Sequence, residues 1–150
     1  MYSSEKRKEI TTEGGLNLKK NKNKIKKIIY NLKRNKIRVS LFIEPKIHDV
    51  KLSKILGADC VELHTGKYCN TLNKKKNTSK LFHYLKKSSK YAKKIGLEVH
   101  AGHGLTYESA FKVSRIKEIS EFNIGHFLVS ESLFFGIGKI IKKFSRIIKT

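Results

Sequence analysis

Histidine, carboxylate and glycine recur together at three places in this 150-residue chain. Gly102-His103-Gly104 ends the stretch Leu97–Leu105, Glu62-Leu63-His64-Thr65-Gly66 ends a second, and Asn123-Ile124-Gly125-His126 ends a third. An imidazole changes charge near neutral pH, so it can both give and take a proton. Flanking glycines let backbone amides approach a ligand with no side chain in the way. Before its polar end, each stretch alternates apolar and polar residues, as a half-buried strand does. Three strands with polar C-terminal ends predict one shared site.

Converging His and Glu could also bind zinc. No pair here has the i,i+4 spacing of a helical zinc motif, so no metal site is predicted. Gly125-His126 precedes a helix-like segment, a good phosphate position because helix N-termini offer free amides and a favourable dipole. Ile10-Thr11-Thr12-Glu13-Gly14-Gly15 reads either as an anion- or polar-ligand loop or as a simple turn before a helix.

Elements that could position these residues follow from apolar spacing. A helix is predicted from about Leu16 to Asn35, with Ile25, Ile28, Ile29 and Leu32 on one face. A strand over Ile37–Glu44 ends at Pro45, and a helix from about Lys46 to Leu56 ends at Gly57. Asp59–His64 is a strand, 67–77 a Lys/Asn-rich surface loop, and Thr78–Ile95 a helix ended by Gly96. Leu97–Ala101 is the third strand, Tyr107–Ile116 a helix with Ala110, Phe111 and Val113 inward, and Phe122–Phe127 the fourth strand. A final helix over Glu131–Lys149 carries Leu133, Ile137, Ile140, Ile141, Phe144 and Ile148.

Regular strand–helix alternation predicts a parallel sheet in a single domain over residues 1–150. A sheet covered on both faces would have near-continuous apolar strands. Here Val61 and Leu63 oppose Glu62 and His64, and Val99 and Ala101 oppose Glu98 and His100. Five of the twelve acidic residues, Glu44, Asp59, Glu62, Glu98 and Glu121, sit in or beside strands. Helices outside and polar groups inside describe part of a (β/α) barrel, where chemistry sits at the C-terminal strand ends.

Composition bounds the rest. The formal net charge is +22, mostly from lysine spread over every helix-like segment. Arginine would serve bidentate phosphate or base contacts better, so loose polyanion adhesion is expected rather than specific nucleic-acid binding. No run of 18 apolar residues predicts a membrane span, and the charged first residues lack a signal peptide's apolar core. Cys60 and Cys69 make no Cys-x-x-Cys pair, which points to a reducing, cytoplasmic setting.

Five pieces together resemble one enzyme family: residues 5–16 (EKRKEITTEGGL), 38–45 (RVSLFIEP), 61–68 (VELHTGKY), 100–107 (HAGHGLTY) and 121–126 (EFNIGH). The chain resembles the pyridoxine 5′-phosphate synthases, and the pieces occur in that family's order. The resemblance implies an oligomeric (β/α)8 barrel that needs no metal or organic cofactor. It implies condensation of 3-amino-2-oxopropyl phosphate with 1-deoxy-D-xylulose 5-phosphate to pyridoxine 5′-phosphate, phosphate and water. Carried over by motif, His103 is the proton donor and Glu62 the carboxylate that stabilises the transition state. Thr11, Gly104, Gly125 and His126 bind the phosphorylated substrates. Glu131 stands where the family usually has Arg.

The resemblance begins after the family's fourth strand, so the expected fold is α/β: a partial TIM-type barrel of about four parallel strands with outer helices, its C-terminal half. The absent units carry a second catalytic His, a catalytic Glu and several phosphate contacts. The expectation is therefore a chain that is inactive or poorly stable alone and works with a complementary N-terminal fragment or as a homo-oligomer. The alternative is an inactive remnant with nonspecific polyanion binding. An aldolase-like barrel would end a strand in a Schiff-base lysine, and no predicted strand does.

Overall fold

Four strands, β1 (Ser40–Ile43), β2 (Cys60–His64), β3 (Glu98–Gly102) and β4 (Ile119–Asn123), form one sheet in the order β1-β2-β3-β4, every pair parallel. They come from a computed structural model that describes residues 14–149. Helices α1 (Lys22–Arg34), α2 (Ile47–Leu56), α3 (Gly66–Asn73), α4 (Ser79–Lys94), α5 (Tyr107–Ser114), α6 (His126–Phe135) and α7 (Ile137–Lys149) complete the described fold. A doubly wound sheet reverses its strand order at a switch point. This sheet does not, so right-handed crossovers place its helices on one side, as in a barrel wall. The fold is a partial TIM-type half barrel.

The alternation predicted for the strands is realised. Leu41, Ile43, Val61, Leu63, Val99 and Ala101 are buried against the helices, and Ile43, Val61, Leu63, Val99 and Ala101 are wholly inaccessible. Burying each large aliphatic side chain contributes about 1.5–3 kcal/mol. The other face shows Phe42, Glu62, His100 and Glu121 side by side across the four strands, since these residues are in register. An irregularity in the β3–β4 ladder leaves Ser120 as an extra residue, so Ile119 pairs with Val99 while Glu121 pairs with His100. That bulge lets Ile119 and Phe122 both reach the apolar side.

Several boundaries differ from those predicted. Residues 16–21 are not helical: the Leu16 amide donates to the Phe42 carbonyl at 2.8 Å, and Leu18 enters the core. The supposed loop 67–77 contains α3, which buries Tyr68, Cys69 and Leu72. The fourth strand starts at Ile119 and ends at Asn123, three to four residues earlier than expected. The single final helix is two, α6 and α7, broken at Gly136, whose φ of 80° ends α6. Ile28, Phe111, Leu133, Ile137 and Ile141 are exposed rather than inward. Arg115 stacks over Phe111, and α7 docks instead through Ile140 and Phe144, which pack with Tyr107 and Phe127.

Candidate functional site

The C-terminal ends of β1, β2 and β3 bring two imidazoles together. His64 ends β2, and His103 follows β3 directly. Their rings meet edge to face with centroids 4.8 Å apart, and Phe42 of β1 stands 5.1 Å from the His64 ring. Gly66, the first residue of α3, makes room for both. A Cβ there would lie 2.6 Å from His64 Nε2 and 2.8 Å from His103 Cδ2.

His103 holds a backbone φ of 77°, a left-handed conformation that costs a non-glycine residue about 1–2 kcal/mol. Thr65 opposes that strain. Its buried hydroxyl lies 2.8 Å from the Gly102 carbonyl and 2.6 Å from the His103 carbonyl, donating to the two in a shared bond. The Thr65 amide also donates to the Gly102 carbonyl at 2.9 Å. Gly104 follows at φ 77° beside Cys69, in a conformation that glycine alone adopts without penalty.

Glu62 points from β2 across β3 toward β4. Its Oε2 accepts a 2.8 Å hydrogen bond from Asn123 Nδ2. This path exists because Gly102 has no side chain: a Cβ on Gly102 would lie 2.0 Å from Glu62 Oε1. Glu44, just beyond β1, accepts from His64 Nδ1 at 2.8 Å and from the Gly15 amide at 3.1 Å. Partial burial pushes the Glu44 carboxyl up, but the Gly15 amide and the His64 ring outweigh it and hold the group below its usual value.

Of the sequence-predicted site residues, His103 and Gly104 directly follow β3, and Glu62 of β2 sets its carboxylate against Gly102, the residue before His103. Gly125 and His126 are the N-cap and first residue of α6, after β4, with open space around Gly125. Among the described residues no side chain caps that terminus. Thr11 lies outside the described residues. Glu131 is on α6 near Tyr107. Burial, and then the Glu131 carboxylate, push the Tyr107 phenol up.

Sequence reasoning overlooked three contributors. The Lys/Asn segment reads in the sequence as a surface loop, yet Lys67, Asn70, Thr71, Lys74 and Lys76 line a groove of about 610 Å³ that reaches His64 and His103. Its signal was the i,i+4 pair Tyr68 and Leu72 beneath the lysines. Glu44 and Thr65 were visible only as strand-end polar residues. Their partners, His64 and the Gly102 and His103 carbonyls, lie 20 or more residues away.

At the other end of the strands, Glu98, His100 and Glu121 bring ligand-type atoms within 4.8 Å of one another, close enough to hold a cation. Arg38 already pairs with Glu98. Its hydrogen bond, helped by His100, holds that carboxyl down at about 2. His100 is flanked by Glu98 at 3.1 Å and Glu121 at 3.5 Å on its two nitrogens, the pattern of an ion-pair network. Cys60 and Cys69 are both free and buried, and burial pushes both thiols up, away from nucleophilic use.

The pyridoxal phosphate biosynthesis protein PdxJ family matches residues 3–150. A pyridoxine 5′-phosphate synthase of Pelagibacter ubique is 54% identical over 143 residues, covering 95% of this chain and 60% of its own length. The synthase of a Sulfurihydrogenibium species is 45% identical over 144 residues, covering 96% and 58%. That of a Wolbachia strain is 44% identical over 140 residues, covering 92% and 57%. The chain thus spans about 60% of the length of the curated relatives it matches.

Proposed function

This chain belongs to the PdxJ family of pyridoxal phosphate biosynthesis proteins, and we propose that it carries the C-terminal part of a pyridoxine 5′-phosphate synthase site. The reaction proposed is condensation of 3-amino-2-oxopropyl phosphate with 1-deoxy-D-xylulose 5-phosphate, releasing phosphate and water. It is assigned to the cytoplasm, where both buried thiols stay reduced. No described helix is long and apolar enough to cross a membrane.

What supports this reading is that His103 and Gly104 directly follow β3 while the Glu62 carboxylate lies against Gly102, at the end of the strands where (β/α) barrels place their chemistry. Imine formation, dehydration and phosphate loss all need proton transfers. His103 serves as proton donor, on a turn clamped by Thr65. Glu62, held by Asn123 over Gly102, offers a fixed negative charge to a cationic transition state. Gly104, the α6 terminus at Gly125-His126, and Thr11 serve the two phosphates, and the lysines of the α3 groove draw anionic substrates in.

Four parallel strands do not close a barrel, and β1 and β4 each lack an outer neighbour among the described residues. Turnover therefore requires the remaining strands of a closed barrel, from the same or another polypeptide, and assembly into an oligomer is part of the proposal. The test is formation of pyridoxine 5′-phosphate from both substrates, by the chain alone and together with the part of the Pelagibacter ubique relative that it does not match. Product only in the combined sample is expected. Robust turnover by these four strands unaided overturns the half-site reading. Its absence from a folded combined assembly favours an inactive remnant, whose +22 charge would then act only through salt-sensitive polyanion binding.

A further inference from the structure

His64 is the one buried imidazole at this site whose role the proposed reaction leaves open. It is 93% buried, and its Nδ1 meets Glu44 Oε1 at 2.8 Å. Its Nε2 is wholly enclosed and makes no hydrogen bond among the described residues. Because the Glu44 carboxyl also takes the Gly15 amide, it acts as an acceptor, and His64 Nδ1 must be the donor. A proton on Nε2 as well would be a buried donor without an acceptor, which is costly. Among the described residues the ring is therefore held as the Nδ1–H tautomer, with no donor to the Nε2 lone pair. That lone pair faces the space over Gly66, which it shares with the edge of the His103 ring.

We propose that His64, oriented by Glu44, is the positioning residue for His103: the two fix the His103 ring and favour its protonated, proton-donating form. The proposal rests on His103 being the proton donor of the reaction above. The logic is that of a carboxylate–imidazole pair, in which the carboxylate selects the tautomer and the far nitrogen presents electron density to its neighbour. The surroundings give the pair a purpose. Lys46 after β1, Lys67, Lys74 and Lys76 around α3, and Lys87 of α4 line the clefts at the two rings, where Tyr84 of α4 and the Cys69 thiol of α3 are neutral neighbours. Those cations disfavour a second positive charge on His103. Glu62 and Glu44 are the carboxylates that oppose them, and Glu44 reaches His103 through the His64 ring.

The test is nitrogen-detected NMR on the histidine-labelled chain, alone and assembled with the complementary strands, for wild type, Glu44→Gln and His64→Phe. In wild type, His64 should carry its proton on Nδ1. The pH at which the His103 ring titrates should fall by about half a pH unit or more in both variants. Glu44→Gln keeps an acceptor for Nδ1 and removes only the charge, so it reads the effect even where His64→Phe perturbs folding. In the assembled enzyme, His64→Phe should lower kcat roughly 10- to 100-fold with KM little changed, as expected of a misplaced acid. A His64 proton on Nε2, or a His103 titration unmoved in both variants, overturns the proposal. Because the NMR readout needs no catalysis, an inactive assembly with a shifted His103 overturns the synthase reading alone. An active one with an unshifted His103 overturns the positioning alone.

Discussion

Replacing Gly102 by Ala separates stability from catalysis. A Cβ at this position would lie 2.0 Å from Glu62 Oε1, 3.0 Å from Glu62 Cδ and 3.1 Å from Asn123 Cβ. Restoring a tolerable contact moves the Glu62 carboxylate back by about 1 Å, which breaks its bond to Asn123. The backbone has no objection, since Gly102 is not among the positive-φ glycines. Losing the largely exposed Glu62–Asn123 bond costs about 0.5–1.5 kcal/mol, and Ala in place of a strand glycine returns about 0.5–1 kcal/mol. The urea midpoint should thus stay within about 1 kcal/mol of wild type. In the role proposed for Glu62, by contrast, a misplacement of about 1 Å costs roughly 100-fold in turnover. The assays are urea unfolding of the chain, the side-chain amide signals of Asn123, and kcat of the assembled enzyme. Unchanged Asn123 signals together with undiminished turnover would refute the idea that Gly102 exists to seat Glu62.

Other outcomes follow from the same geometry. Thr65→Val should lower stability by about 1–3 kcal/mol in urea unfolding, because the His103 carbonyl loses its buried hydroxyl donor, and should speed amide exchange at His103 and Gly104. Glu98 has its folded value held near 2, below its ordinary 4.5, so its ion pair stabilises the fold above about pH 4.5 and that contribution is lost as pH falls toward 2. Arg38→Gln should flatten that part of an acid-unfolding curve. Phe144→Ala should cost about 3–5 kcal/mol and detach α7 from α5 and α6, visible as new protease cleavage near Gly136.

What could be read from the sequence follows the range of each signal. Alternation in Val61-Glu62-Leu63-His64 has a period of two, is unambiguous within five residues, and assigns each side chain to its face. The same holds for Glu98–Gly102, so the half barrel and its polar interior were legible. Helix α3 was not, because Lys and Asn dilute an eight-residue helix whose apolar face is only Tyr68, Cys69 and Leu72. The start of β4 was hidden by the bulge at Ser120, which shifts the alternation by one residue. The break at Gly136 fell inside an apolar stretch where Leu133 and Phe134, about 80% exposed, resemble core residues. At the site, His103 and Gly104 stood out as a glycine-flanked strand end and Glu62 as a strand carboxylate, while the roles proposed for them came from the family resemblance. The bond from Asn123 to Glu62 spans 61 positions, and that from His64 to Glu44 spans 20, so only the parallel register brings them together.

The central claim is that these strand ends carry the acid of a phosphosugar condensation, and its most direct measurement is single-turnover kinetics of His103→Asn in the assembled enzyme. Asn tolerates the left-handed backbone at this position, so the turn and the phosphate sites proposed at Gly104 and Gly125-His126 persist. The account predicts that both phosphorylated substrates still bind within about threefold of wild type while product formation falls by roughly 100- to 10,000-fold, the usual contribution of a general acid. Normal product formation, or loss of binding with the chemical step intact, would contradict it.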